Sequence, residues 1–234
     1  APSVEGINFK AMKGQTIGVI GGTGSGKSSL VNLIPRLYDA TQGEVLVDGV
    51  NVKDYDIETL RNKVGIVMQK AVLFKGTIRE NMWMGKKGAT DEQIDEALEI
   101  SQSKEFVDSK QGRLDYVIEQ GGKNLSGGQR QRLTIARAIV RKPDVLILDD
   151  SASALDFATD AALRKAIRGM NNSPTVFIVS QRAASLMYAD LIIVLDDGQV
   201  AGMGTHDELL ANCEVYKEIY ESQFKKADSE GGVA

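Results

Sequence analysis

This sequence of 234 residues has a single cysteine, no long apolar run and no excess of positive charge. Its one cysteine, Cys213, excludes an intramolecular disulfide and suits a reducing compartment. The apolar runs fall well short of the roughly 20 residues that a membrane-spanning helix needs. The net charge of −4 gives no electrostatic reason to expect nucleic acid as a partner.

The remaining composition is ordinary for a globular protein, with 42% hydrophobic and 26% charged residues. The length allows one large domain, or a domain with a subdomain. The chain shows neither an initiator methionine nor a signal peptide, and it opens in 4-VEGINF-9, which reads as a strand. We therefore expect an excised piece of a longer protein, or a protein whose start was not retained. The small, polar tail 225-KKADSEGGVA-234 is predicted to be disordered.

Strands and helices alternate along much of the chain. An apolar run, 16-TIGVIG-21, leads into a glycine-rich turn and then a helix from about Lys27 to Tyr38, which Pro35 should kink or end. After Pro143, further apolar strands are separated by helical sequence: VLILD, TVFIVS and LIIVL. Apolar strands that alternate with helices indicate a parallel sheet covered on both faces.

Two regions depart from this alternation and indicate additional parts. Short alternating segments, 43-GEVLVDG-49 and 64-VGIVMQ-69, predict an antiparallel β element beside the core. The sequence then becomes helical over 71–141. We therefore predict an α/β fold whose mostly parallel core, formed by 1–70 and 142–224, carries an antiparallel β subdomain and an inserted helical subdomain at 71–141.

Capping boxes mark the start of several predicted helices. The pairs are Thr90 with Gln93, Ser126 with Gln129, and Thr205 with Glu208. The first pair opens a helix predicted over 91–107, and the second opens one over 127–140.

The stretch 21-GGTGSGKSS-29 matches G-x-x-x-x-G-K-[ST], a phosphate-binding loop, and lies between a predicted strand and a predicted helix, as that motif requires. Glycines let backbone N–H groups converge on phosphate oxygens without obstruction by side chains. Lys27 should reach the β- and γ-phosphates, and the Ser28 hydroxyl should bind Mg²⁺. The predicted nucleotide-binding residues are Gly21, Gly22, Thr23, Gly24, Ser25, Gly26, Lys27, Ser28 and Ser29.

Two adjacent aspartates end the apolar strand 145-VLILD-149. Asp149 would bind Mg²⁺ directly or through water. A buried carboxylate at that position with no ion nearby would carry a large desolvation cost. For Asp150 three readings stay open at this point: an ordinary acidic residue, a catalytic base, or a base shortened by one methylene.

Several motifs in a fixed order resemble the nucleotide-binding domain of ABC transporters. They are the phosphate loop at 21–28, the glutamine that ends 64-VGIVMQ-69, 125-LSGGQ-129, Asp149 and 153-SALD-156. A GTPase is excluded because 62-NKVG-65 lacks the aspartate of N-K-x-D. The resemblance implies a P-loop NTPase core with ATP and Mg²⁺ as cofactors. It also implies that Gln69 touches the region of the Mg²⁺ ion and the attacking water.

The LSGGQ motif places a second anion site at a helix start, where Ser126 caps the helix and two glycines follow. In the family this site meets the γ-phosphate held by a partner domain, so that ATP joins a head-to-tail dimer. The residues implied are Ser126, Gly127, Gly128 and Gln129. The stretch 72-VLFKGTIRENMWMG-85 resembles exporter-type members, which implies transmembrane domains as further partners and a location at the cytoplasmic face of a membrane.

Two residues depart from the family pattern. The catalytic carboxylate is normally glutamate, and its counterpart Asp150 is shorter by about 1.5 Å, one C–C bond. A misplacement of that size can cost about 10²-fold in rate. The histidine after the next strand is replaced by Gln181, which brings neither positive charge nor proton transfer. The combination resembles the degenerate-site subunit of a heterodimeric, multidrug-type exporter, which hydrolyses ATP slowly at its own site.

Two other functions compete with this one. In the first, the chain is a regulatory or channel-gating ABC domain in which ATP binding alone does the work. In the second, it is an ABC-type ATPase that serves DNA repair or translation. The acidic composition and the exporter-like sequence disfavour this second function. The transported substrate is not predicted, because the domain carries no substrate pocket. The family's adenine-stacking aromatic is also missing, since Phe9 is the only aromatic upstream of Gly21 and reads as a core residue.

Overall fold

A computed structural model of the chain describes residues 3–151 and 154–230. The chain divides into two compact units, one formed by Ala1–Arg61 with Thr175–Ala234 and the other by Asn62–Pro174. The helical insert predicted at 71–141 lies inside the second unit, and its own boundaries stay a prediction. Within the described ranges, no helix has both the length and the apolar composition needed to cross a bilayer.

Strands and helices follow one another along the described residues, as predicted. The strands are β1 (Thr16–Gly21), β2 (Leu46–Val47), β3 (Val50–Asn51), β4 (Val64–Val67), β5 (Gly76–Thr77), β6 (Val117–Ile118), β7 (Val145–Asp149), β8 (Thr175–Val179), β9 (Leu191–Asp196) and β10 (Gln199–Gly204). The helices are α1 (Lys27–Asn32), α2 (Ile57–Lys63), α3 (Ile78–Trp83), α4 (Asp91–Ile100), α5 (Lys104–Asp108), α6 (Gly127–Ile139), α7 (Phe157–Arg168), α8 (His206–Asn212) and α9 (Glu214–Glu230).

The sheet of the first unit is built around β1. This strand pairs in parallel with β8 on one side and β9 on the other, so that Ile17 lies opposite both Phe177 and Leu191. Strand β10 returns antiparallel beside β9, with Gln199 opposite Asp196. Every residue of β1 is buried. The parallel arrangement predicted from the apolar strands is therefore confirmed in this unit.

The antiparallel element predicted at 43–49 is a hairpin of β2 and β3, in which Val47 lies opposite Val50. Asp48 and Gly49 form its turn with φ values of 51° and 78°. Two consecutive residues with positive φ suit a type I′ turn, for which Asp-Gly is a favoured pair.

Helix α1 is shorter than predicted. It ends at Asn32, ahead of Pro35, and Leu37 N–H then donates to the Asn32 carbonyl over 3.0 Å. The extension to Tyr38 was wrong because Arg36 adopts a φ of 52°, which is outside the helical region.

The strand predicted at 4–9 is not formed. Gly6 has a φ of 66°, which interrupts the extended backbone. Glu5 contacts the start of β10 without forming a strand: its N–H donates to the Gly198 carbonyl over 2.9 Å, and its Oε1 accepts from Gln199 Nε2 over 2.8 Å. Phe9 packs edge-on against Phe177 with ring centroids 6.2 Å apart. The apolar residues that suggested a strand therefore serve packing.

The first unit closes with α8 and α9. Thr205 and Glu208 form the predicted capping box at the start of α8. Helix α9 runs on to Glu230, so the structure differs from the predicted disorder over 225–230. Lys225, Lys226 and Ala227 are good helix formers, and the helix continues through them. Residues 231–234 lie outside the described part.

In the second unit, β4 and β7 pair in parallel, with Ile66 opposite Ile147. The prediction that 64–69 belongs to the antiparallel element was therefore wrong. Val64, Gly65 and Val67 are buried, and burial of adjacent residues is typical of parallel strands. A period-2 pattern over so short a segment did not distinguish the two.

The helix predicted over 91–107 is broken into α4 and α5. The capping box of Thr90 and Gln93 opens α4 as predicted. The break lies at Gln102, whose φ is 58°, between two fully buried serines, Ser101 and Ser103. Ser103 N–H donates to the Leu98 carbonyl over 2.8 Å, a bond that closes the end of α4.

Candidate functional site

The predicted phosphate loop of the first unit joins β1 to α1. The backbone of this loop requires glycine at both ends of the glycine-rich segment, Gly21 and Gly26. Gly21 has a φ of 159°, and a Cβ added there would collide with the Leu195 carbonyl. Gly26 has a φ of 93°, and its Cβ would collide with Val4 and the Ser3 carbonyl. These two glycines are therefore required for two reasons: their backbone conformation, and the close approach of neighbouring atoms to the place where a Cβ would lie.

Lys27 lies inside this loop and is only 9% exposed. Its ammonium donates to the Gly21 carbonyl over 2.9 Å and to the Gly22 carbonyl over 2.6 Å. The Ser25 hydroxyl oxygen lies 3.4 Å from the same nitrogen. A positive charge held among neutral oxygens is suited to bind an anionic phosphate, because the charge is largely removed from water.

A cavity of about 360 Å³ adjoins this loop. Its lining residues are Ser3, Gly24, Gly26, Lys27, Ser28, Ser29, Asp197 and Gly198. Five of the nine residues predicted to bind nucleotide in this loop therefore share one concave surface. Thr23 and Ser28 are exposed, as direct contact with a ligand requires.

Gln181, also in the first unit, follows β8 and is exposed. Its carbonyl accepts a hydrogen bond from Gln223 Nε2 over 2.6 Å. His206 lies elsewhere, at the start of α8, with its Nδ1 2.8 Å from the Tyr216 hydroxyl. This contact gives the only histidine in the sequence a structural role.

In the second unit, the two aspartates after β7 have different surroundings. Asp149 is 6% exposed, whereas Asp150 is half-buried and has a φ of 46°. Gln69 Nε2 donates to Asp150 Oδ2 over 3.1 Å. The structure therefore brings together two of the three predicted catalytic residues, although 81 positions separate them in the sequence.

The LSGGQ motif forms the start of α6 as predicted. Ser126 Oγ accepts from Gln129 N–H over 3.2 Å, and Gln129 Oε1 accepts from Ser126 N–H over 3.1 Å. The Gln129 side chain is therefore used within the capping box. Gly127 is exposed and Gly128 half-exposed at the first turn of the helix.

The SALD motif at 153–156 is only partly described, because Ser153 lies outside the described residues. Asp156 caps α7, accepting from Thr159 N–H over 2.9 Å and from its hydroxyl over 2.8 Å. These hydrogen bonds hold the pKa of the Asp156 carboxyl below its usual value.

Arg137, on α6, is a residue that the sequence analysis missed. Its Nη2 donates to the Val72 carbonyl over 2.9 Å, and its guanidinium lies 5.7 Å from the ring centroid of Phe74. Burial lowers the pKa of Arg137. The contact ties the helix of the LSGGQ motif to the segment that follows Gln69. No sequence signal could have singled out Arg137, because its hydrogen-bond partner is a backbone carbonyl.

The family model described as "ABC transporter" matches residues 4–153 of this chain. The chain belongs to the ABC transporter family. It is a nucleotide-binding domain of that family, and the P-loop NTPase fold predicted from the motifs is confirmed.

Relatives of this ABC domain include exporters. It is 44% identical over 228 residues to the "Uncharacterized ABC transporter ATP-binding protein YfiB" of Bacillus subtilis, covering 97% of this chain and 39% of that protein. It is 40% identical over 223 residues to a "Putative multidrug export ATP-binding/permease protein" of Staphylococcus aureus, covering 95% and 39%. The chain spans about two fifths of the length of these relatives.

A solved structure of a bacterial Atm1-family ABC exporter with ATP bound has the same fold as this ABC domain. The TM-score is 0.89 at 32% sequence identity, over 94% of this chain and 39% of the exporter chain. At this identity the likeness extends beyond the fold to the sequence. The individual roles of the phosphate loop, LSGGQ, Gln69, Asp149, Asp150 and Gln181 stay predictions.

Proposed function

We propose that this ABC domain binds Mg·ATP on its phosphate loop and serves as the ATP-binding part of an exporter. The observation that carries the proposal is Lys27, whose buried ammonium points among the loop carbonyls beside the cavity. Lys27 would hold the phosphates, and backbone N–H groups of 22–28 would share their charge.

The donor chemistry of three predicted residues suits a magnesium ion. Ser28, Gln69 and Asp149 are the proposed ligands, a hydroxyl, an amide oxygen and a carboxylate. A small set of oxygen ligands completed by phosphate and water is what Mg²⁺ ordinarily takes in nucleotide sites. When bound, the ion supplies positive charge that offsets the charge of the phosphates.

We propose further that hydrolysis at this site is slow. The carboxylate in the position of the catalytic base is Asp150, which is short by one methylene, and it accepts a hydrogen bond from Gln69. A carboxylate engaged in this way has one acceptor site fewer for a water molecule. Gln181 cannot supply the charge that a histidine would bring to the γ-phosphate.

The intact LSGGQ motif indicates what kind of partner this domain has. Ser126, Gly127 and Gly128 stand at the exposed start of α6, where N–H groups attract anions. We propose that they complete the active site of a second, non-identical nucleotide-binding domain that keeps the glutamate and the histidine. The assembly would sit at the cytoplasmic face of a membrane, attached to transmembrane domains, and move drugs or other substrates outward.

The test is to repair the site. Asp150→Glu with Gln181→His should raise the ATPase rate of the isolated chain by about 100-fold, because the base regains its reach and the γ-phosphate regains a cation. The rate should rise with the square of protein concentration, since the repaired site needs LSGGQ of a second copy. A wild-type chain that already turns over as fast as the double variant would refute the slow site.

One observation also supports a second candidate, an ATP-gated regulatory or channel-gating domain. Asp150 and Gln181 together favour a site where binding alone does the work. Single-turnover hydrolysis separates the two: a repaired chain that binds ATP with unchanged affinity and still fails to hydrolyse it would favour gating.

A further inference from the structure

The C-terminal helix α9 reaches the loop that carries Gln181. Gln223 uses both polar atoms of its side-chain amide on this loop. Its Nε2 donates to the Gln181 carbonyl over 2.6 Å, and its Oε1 accepts from Ala183 N–H over 2.9 Å. One side chain thus satisfies a backbone acceptor and a backbone donor two residues apart, in place of the bonds that a neighbouring strand would make.

The inner side of the same loop is held by the core. Ala183 and Leu186 are fully buried, and Leu186 packs so closely on β1 that a Cβ added to Gly18 would lie 3.2 Å from its Cδ2. The Ser180 hydroxyl accepts from Arg182 N–H over 2.9 Å. Gln181 itself is exposed, so the two hydrogen bonds from Gln223 fix the outer edge of the loop.

Helix α9 is itself anchored by a buried side chain. Tyr216, two turns before Gln223, is fully buried, and its hydroxyl lies 2.8 Å from His206 Nδ1. Burial raises the pKa of Tyr216 to about 12. Residues seven apart share a helix face, so the buried face of α9 carries Gln223 toward the loop.

We propose that Gln223 is a positioning residue for Gln181, through which the C-terminal helix sets how strongly the site responds to the γ-phosphate. The inference rests on the proposed place of Gln181 beside that phosphate. The backbone of Gln181 determines where its amide can reach. Freeing that backbone therefore weakens binding of ATP and leaves binding of ADP unchanged, since ADP has no γ-phosphate.

Hydrogen exchange tests the contact itself. Gln223→Met keeps the length of the side chain and removes both hydrogen bonds, while Gln223→Glu keeps an acceptor for Ala183 N–H and removes the donor to Gln181. We expect the Ala183 amide to exchange about 10-fold faster in the methionine variant, as loss of a protecting hydrogen bond predicts, and at an intermediate rate in the glutamate variant. An unchanged rate in both variants would overturn the inference.

Nucleotide titration tests the consequence. Equilibrium binding of Mg·ATP to Gln223→Met should weaken by roughly 3- to 10-fold, the worth of one hydrogen bond, with ADP affinity unchanged. Ser222→Ala is the matched control, because Ser222 is the adjacent residue and its hydroxyl donates locally to the Ile219 carbonyl. Equal weakening of ATP and ADP, or no weakening of either, would show a structural role only and overturn the proposal.

Gln181→Ala distinguishes failure of the inference from failure of the proposed function. If this variant leaves the ratio of ATP to ADP affinity unchanged, Gln181 does not face the γ-phosphate, and the positioning role of Gln223 is rejected with it. If Gln181→Ala lowers the ratio while Gln223→Met does not, the inference alone is wrong. Thermal unfolding of each variant near the wild-type temperature confirms that the chain is folded in every titration.

Discussion

The two proposed anion sites of this ABC domain lie at the starts of two helices that begin in opposite ways. Helix α1 begins at Gly26, which has no side chain to cap it, and a buried lysine follows at once. Helix α6 begins at Ser126, whose hydroxyl and backbone N–H both pair with Gln129. The first start carries a full positive charge, and the second offers the partial charges of N–H groups.

We propose that this difference gives the two sites different tasks. A site with an ammonium group can bind phosphate by itself, because a charge-assisted hydrogen bond is about twice as strong as a neutral one. A capped helix start with two glycines has fewer free donors and no charge. We therefore expect the phosphate loop to act within its own chain, and LSGGQ to act only on nucleotide that another domain already holds.

The largest effect should come from Ser126→Arg in the repaired background of Asp150→Glu with Gln181→His. The arginine side chain would fill the space of the γ-phosphate of the second copy, so the roughly 100-fold gain in ATPase rate should be lost. The measurement is steady-state phosphate release. Ser126→Arg in the wild-type background should leave ATP affinity unchanged, and a loss of affinity there would remove the distinction between the two sites.

Lys27→Ala should weaken ATP binding by about 10- to 100-fold, since it removes a hydrogen bond from a charged donor. Titration with Mg·ATP measures the loss. Lys13→Ala is the control, because Lys13 is an exposed lysine before β1. Comparable loss in both variants would mean that general charge, and not the loop, attracts the nucleotide.

Ser126→Ala should lower the free energy of unfolding by about 1 kcal/mol, the usual cost of losing an N-cap. Thr90→Ala removes the matching cap of α4 and should cost a similar amount. Denaturant unfolding compares the two variants, and ATP affinity should stay at the wild-type value in both. A much larger cost at Ser126 would indicate a further contact of its hydroxyl.

Asp156→Asn should have the smallest effect, because asparagine is also a good cap. The folded-state pKa of Asp156 is lowered by its bonds to Thr159, so its stabilisation is present above the unfolded value of 3.8 and is lost as pH falls through the folded value. The difference in unfolding temperature between wild type and Asp156→Asn should therefore change below about pH 4. A difference that is the same at pH 7 and pH 3 would contradict the charged cap.

Local signals predicted local structure well. The capping boxes at Thr90, Ser126 and Thr205 formed as predicted because their partners lie three residues away. Two of the errors were local, at the end of α1 and at the break between α4 and α5. Two others concerned strand pairing. Strand β4 was assigned to an antiparallel element, although its partner β7 lies some 80 positions later. The strand expected at 4–9 failed for the opposite reason, since its apolar residues pack without pairing.

The sequence by itself determined the phosphate loop, the helix starts and the family. Each depends on residue types at short, fixed spacing, which the chain carries in its covalent order. Only the tertiary structure decided that Gln69 meets Asp150, that Arg137 holds the Val72 carbonyl, and that Gln223 holds the loop of Gln181. These contacts join distant segments, and the last two end on backbone atoms that every residue possesses. Residue identity therefore gave no signal for these last two contacts, which depend on how the segments pack.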